Sequence, residues 1–148
     1  MEPQIVPILM AEDDPEDRLL AREALAEARL MNPLYCVEDG EQLMRYLHRE
    51  SPFDDPQVYP LPRVILLDLN MPRKDGRTCL REIKADPELK HLPVIILTTS
   101  RQDEEVLRSY ELGANSFITK PVDFNQLVTI MSGLGRYWFS IVELPHEE

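Results

Sequence analysis

Short, branched apolar runs alternate along this chain with segments of helical periodicity. Ile5 to Ala11, Leu34 to Val37, Val64 to Asp68, Val94 to Thr98 and Ser116 to Thr119 read as strands. Most lack the polar alternation of a half-exposed strand, as expected where a parallel sheet is covered on both faces. Between and after them, five segments carry helical spacing: Pro15 to Ala28, Gly40 to His48, Arg77 to Ala85, Asp103 to Leu112, and one from near Asp123 to about Phe139. The first has a helix start in Asp14-Pro15, with Asp as N-cap, Pro at the first helical position, and Glu16 and Asp17 in the first turn. Leu20, Ala21, Ala24, Leu25 and Ala28 give it a core-facing stripe, and Asn32-Pro33 breaks it. Strand followed by helix throughout implies right-handed βαβ crossovers. The fold class is α/β, a doubly wound five-stranded parallel sheet with helices on both faces.

Residues 49–62 interrupt this rhythm. They hold Pro52, Pro56, Pro60 and Pro62, a density that blocks regular structure. Phe53, Val58 and Tyr59 in this stretch have no evident place in the core. The segment reads as a spacer, with a partner-contact loop as the alternative.

A length of 148 residues suits one domain, taken as 1–148, with a core of about 5–135 and a C-terminal extension of about 136–148. No stretch approaches the roughly 18 uninterrupted apolar residues of a membrane helix. The N-terminus lacks the basic region and apolar segment of a signal peptide. The expectation is a cytoplasmic protein with no membrane partner. A formal net charge of −11 argues against nucleic acid as a partner and is compatible with a cation site. Cys36 and Cys79 stand far apart, without zinc-type spacing, and read as ordinary thiols. His48, His91 and His146 read as isolated surface residues.

Charge changes the picture at the strand ends. In open parallel sheets, ligands bind just beyond the carboxyl ends of the strands. The first strand ends in Glu12-Asp13, the third in Asp68, the fourth in Thr98 and the fifth in Lys120. If these strands are neighbours, the groups converge on one rim. Carboxylates crowded there repel one another unless a cation or proton intervenes. Magnesium suits the place, because it prefers oxygen ligands, takes few from protein and bridges to phosphate. Lys120 offers a mobile positive charge and Thr98 a hydroxyl donor. A carboxylate beside a metal, a lysine and a hydroxyl makes a phosphoryl-accepting site, with Asp68 as nucleophile.

In this order and spacing, Glu12-Asp13, Asp68, Thr98 and Lys120-Pro121 resemble the receiver domain of two-component response regulators, the CheY-like family. The resemblance covers about residues 5 to 135 and implies the sheet order 2-1-3-4-5. It implies that Asp68 takes a phosphoryl group from a histidine kinase. It implies Mg2+ (or Mn2+) held by Asp13, Asp68 and the main-chain carbonyl of Asn70, with Glu12 assisting through water. Thr98 and Lys120 would bind phosphoryl oxygens, Pro121 would follow a cis peptide bond, and the side chains of Asn70 and Ser100 would tune the phosphate lifetime. Thr98 and Phe117 would form the switch. Phe117 has no hydroxyl, which leaves packing rather than a polar latch as the means of switching. The phrases Asp68 to Gly76, Leu97 to Ser100, Tyr137-Trp138-Phe139 and Glu143-Leu144-Pro145 resemble the small regulators that serve bacterial and cyanobacterial phytochromes. A red-light-sensing histidine kinase would then be the phosphodonor.

About 15 residues follow the receiver-like part, too few for a DNA-binding domain, so output is expected through protein contacts. Leu127, Met131, Leu134, Trp138 and Ile141 form one apolar stripe, while Val128, Ile130, Tyr137 and Val142 lie outside it. One stripe covers the sheet. The surplus reads as a homodimer contact, with Leu134, Tyr137, Trp138 and Ile141 as its expected residues. A haloacid-dehalogenase-like phosphatase is the alternative function, but it wants a second aspartate two places after the nucleophile, where Asn70 stands. A flavodoxin-like FMN carrier wants a glycine- and hydroxyl-rich phosphate loop where Glu12-Asp13-Asp14 stands.

Overall fold

A computed structural model describes residues 7–28, 33–69, 71–98, 116–119 and 124–134. The strands β1 (Ile8–Ala11), β2 (Leu34–Val37), β3 (Val64–Asp68), β4 (Val94–Thr98) and β5 (Ser116–Thr119) form one sheet in the order β2-β1-β3-β4-β5. Every neighbouring pair is parallel. The chain winds outward from β1 to β2, then crosses back to β3. β1 and β3 therefore flank the point where the winding reverses, which is where open sheets of this kind bind ligands.

Four helices are described: α1 (Pro15–Glu27), α2 (Gly40–Leu47), α3 (Gly76–Ala85) and α4 (Phe124–Leu134). The period-2 alternation of the strands sorts the core into two layers. Leu9, Ala11, Ile65, Leu67 and Ile96 face Leu43, Met44, Tyr46, Leu47, Leu80 and Ile83 of α2 and α3. Ile8, Met10, Val64, Leu66 and Ile95 face Ala21, Ala24 and Leu25 of α1 and Leu127 and Met131 of α4. Asp14 caps α1 as expected, its Oδ1 accepting the Glu16 N–H at 2.9 Å. Among the described residues no helix is long and apolar enough to cross a membrane.

Two expectations need correction. β1 begins at Ile8 rather than Ile5. Pro7 has no N–H for the ladder, and its carbonyl instead accepts from the Arg63 N–H at 2.9 Å. The proline-rich stretch is also more than a spacer. Phe53 is buried and Tyr59 packs against the same core cluster. Both rings meet Tyr46, with centroids 5.3 and 5.7 Å away, and the Tyr46 hydroxyl donates to the Pro60 carbonyl at 2.7 Å. Of the three apolar residues singled out there, Val58 alone is exposed. The expected helix over 103–112, the reach of the last helix to Phe139 and the cis bond before Pro121 lie outside the described residues.

Candidate metal and phosphoryl site

The end of β1 builds one side of the site. Glu12 continues the ladder past the strand, its N–H donating to the Val37 carbonyl at 3.0 Å. Its carboxylate turns back, and Oε2 accepts the Asp14 N–H at 3.1 Å. Arg18, one turn into α1, donates from Nη1 to the Glu12 carbonyl at 2.6 Å, and its Nη2 lies 3.8 Å from Glu38 Oε2. This turn leaves Glu12 buried and Asp13 exposed. β3 supplies the other side, delivering Asp68 at its last residue with only 3% exposure.

Glu12, Asp13 and Asp68 each offer a carboxylate oxygen, all within 4.8 Å of one another. Two full charges at that separation repel by about 3 kcal/mol even at an effective dielectric of about 20. Three carboxylates, two of them buried, thus need a compensating cation or proton. A hard cation that accepts a few protein oxygens and keeps its remaining waters fits this donor set.

The loop after Asp68 is held tightly. The Lys74 N–H donates to the Pro72 carbonyl at 2.7 Å across Arg73, which has φ 70°. That is a γ-turn of the strained hand. Asp75 caps α3 by accepting the Arg77 N–H at 3.1 Å, and Lys74 Nζ pairs with Glu82 at 2.8 Å. The Gly76 N–H returns to the Leu69 carbonyl at 3.0 Å. Across from the loop, Asp39 caps α2 and its Oδ2 lies 3.2 Å from Arg73 Nε. The order and spacing of the strand-end groups do not by themselves mark Arg18, Asp39 or Arg73 as site residues. A signal was present, because α2 and α3 both start on the dipeptide Asp-Gly, at Asp39-Gly40 and Asp75-Gly76.

Of the expected site residues, Glu12, Asp13 and Asp68 are brought together. Thr98 ends β4, one position beyond the Leu97 that pairs in register with Asp68. Phe117, on β5, pairs in register with Ile96 of β4. Lys120, Asn70 and Ser100 lie outside the described residues, as do Tyr137, Trp138 and Ile141 of the expected dimer contact, whereas Leu134 ends α4. His48 is not isolated, since its Nε2 lies 3.4 Å from Asp86 Oδ2.

The pattern of the response regulator receiver domain matches residues 8–132. Response regulator Rcp1 of Synechocystis sp. is 38% identical over 138 residues, spanning 93% of this chain and 92% of Rcp1. Rcp1 in its Mn2+-bound form superposes with a TM-score of 0.82 over 95% of this chain and 99% of that one. The phosphorylated cyanobacterial phytochrome response regulator RcpA is 39% identical, with a TM-score of 0.86 over 96% of this chain and 99% of RcpA. RPA3017, a response regulator in red light signaling of R. palustris, is 35% identical, with a TM-score of 0.89 over 95% and 99%. Likeness of sequence and fold extends over nearly the whole length of these relatives, with an acidic cluster at the turning point of the sheet. This chain belongs to the response regulator receiver domain family.

Proposed function

We propose that this chain is the phosphoacceptor of a two-component pathway, taking a phosphoryl group on Asp68 from a histidine kinase. The observation that carries the reading is the buried Asp68 carboxylate at the end of β3, with Glu12 and Asp13 within 4.8 Å. An Asp68 oxygen would attack phosphorus in line as the bond to the kinase's histidine nitrogen breaks, leaving an acyl phosphate. Asp13, Asp68 and the Asn70 main-chain carbonyl would hold Mg2+ (or Mn2+), with Glu12 assisting through water; the cation would offset charge on the phosphoryl oxygens. Lys120 and Thr98 would grip those oxygens, and Thr98 with Phe117 would carry the change to the surface. Asn70 and Ser100 would set how long the phosphate survives. The protein acts stoichiometrically in the cytoplasm, catalysing only its own phosphorylation and hydrolysis. Likeness to Rcp1, RcpA and RPA3017 supports a divalent cation and a phytochrome-type kinase as the partner. Tyr137, Trp138, Ile141 and Leu134 would join two copies into a homodimer, switching contacts with other proteins rather than with nucleic acid.

Acetyl phosphate with Mg2+ is expected to add one hydroxylamine-labile phosphoryl group to the wild type and none to Asp68→Asn, read by intact mass. Sustained turnover of a small phosphoester by the wild type would favour a haloacid-dehalogenase-like phosphatase instead. Light scattering at micromolar concentration tests the dimer, and the mass of one chain would remove it.

A further inference from the structure

We infer that Asp39 and Arg73 form a latch that positions Asp68 for its cation. The inference rests on the metal-dependent phosphoacceptor reading above. The loop between β3 and α3 leaves the sheet at Asp68 and closes back on it. The Gly76 N–H donates to the Leu69 carbonyl at 3.0 Å. A Cβ on Gly76 would stand 2.5 Å from the Asp68 carbonyl oxygen and 2.7 Å from Leu69 Cα. The two ends of the loop are thus packed directly on the main chain of Asp68, and any shift of the loop is felt there.

Between those ends, the chain passes through Arg73 with φ 70°. A non-glycine residue in that region is strained and persists only where its surroundings hold it. Here the holding element is the start of α2. Arg73 Nε lies 3.2 Å from Asp39 Oδ2, while Asp39 Oδ1 accepts the Gln42 N–H at 2.8 Å. The Asp39 side chain is 8% exposed and that of Arg73 65%, so the buried partner is the anion, which needs its cation more than the arginine needs the acid. Gly40 completes the contact. A Cβ there would overlap the Lys74 carbonyl oxygen and stand 2.6 Å from Lys74 Cβ. α2 and the loop meet main chain to main chain, with the ion pair beside them. Asp39 and Arg73 act through that main chain and are positioning residues.

Opposite signs separate positioning from simple charge. Asp39→Asn keeps the cap, since asparagine caps as well as aspartate, but gives up the ion pair. Arg73→Gln gives up the same pair from the other side. If the charges act only at long range, losing the negative one weakens cation binding and losing the positive one strengthens it. If the latch positions Asp68, both variants weaken binding, by about tenfold, the scale of outer partners in metal sites. Mn2+ titration of the full chain, with free ion read by electron paramagnetic resonance, gives the dissociation constants. The thermal midpoint in EDTA reports the fold and is expected to move by no more than about 3 °C in Asp39→Asn. Arg73→Asn, which tolerates left-handed backbone, is the second variant should Arg73→Gln not fold, and the same weakening is expected. Unchanged or tighter Mn2+ binding in the folded Arg73 variant overturns the latch while leaving the metal reading intact. A wild type that binds no Mn2+ removes the metal reading and the latch with it.

Discussion

Glu12, Asp13 and Asp68 share one cluster on different terms. Glu12 and Asp68 are 1% and 3% exposed, and Glu12 also fixes the turn into α1 through the Asp14 N–H. Replacing Glu12 would therefore disturb both folding and binding. Asp13 is exposed, so its contribution can be separated. Asp13→Ala removes one of three crowded charges, and the thermal midpoint in EDTA should hold or rise as repulsion is relieved. The rise in midpoint on adding Mg2+ should shrink, because affinity falls by at least about tenfold, the loss that even outer partners of a metal site can cause. Thermal unfolding with and without Mg2+ reads both effects. A variant with an undiminished response to Mg2+ would remove Asp13 from the ligand set.

At the scale of elements, the two Asp-Gly helix starts place α2 and α3 against the loop that follows Asp68. Alanine is ordinarily the better helix residue by roughly 1 kcal/mol, so propensity alone makes Gly76→Ala stabilising. Space decides otherwise. The added Cβ would meet the Asp68 carbonyl oxygen at 2.5 Å and Leu69 Cα at 2.7 Å, both main-chain atoms with no flexible end to give way. A net loss of about 2 kcal/mol or more is expected in urea unfolding, and a gain would mean that the loop has slack. This contact also marks where the sequence stops being legible. Strand and helix positions follow from local periodicity, and the cap at Asp14 from short-range hydrogen bonding, so most element bounds can be read within a residue or so. The convergence of Glu12, Asp13 and Asp68 follows from their common place at strand ends. The close approach of Gly40 to Lys74, the Asp39–Arg73 pair and the packing of Phe53 and Tyr59 on Tyr46 join segments far apart in the chain. Nothing in the periodicity of either partner announces them.

For the whole molecule, the α2/α3 face carries ionisable groups that must stay neutral to remain packed. Burial pushes the Cys79 thiol from 9.0 up to about 12, with Lys74 pulling the other way. Burial likewise raises the Tyr46 hydroxyl, aided by the nearby Tyr35. An acid held protonated in the folded state leaves stability intact below its unfolded pKa and takes it away as pH climbs toward the folded value. Stability should thus be level up to about pH 9 and fall from there toward about pH 12. Lys74, raised chiefly by its hydrogen bond to Glu82, adds to the fall at the upper end. Lys84 opposes it. Burial lowers its pKa, so the folded state sheds that proton first and gains stability as pH approaches the ordinary lysine value. The thiol's share can be isolated, since Cys79→Ser keeps a donor for the Gly40 carbonyl, now contacted by Sγ at 3.6 Å, and cannot ionise in this range. Urea unfolding across the alkaline range should show a shallower decline in Cys79→Ser than in the wild type, by about 1 kcal/mol per pH unit. Parallel curves would mean that the thiol titrates alike in the folded and unfolded chain. Gly40 begins the helix against which the loop after Asp68 rests. The folded chain keeps this thiol protonated until pH nears 12, so the decline reflects ionisation in the unfolded chain and the contact itself stays intact. Mn2+ affinity of the folded protein should therefore be alike in Cys79→Ser and the wild type up to about pH 9, and a difference there would show that the thiol acts on the contact by more than its charge.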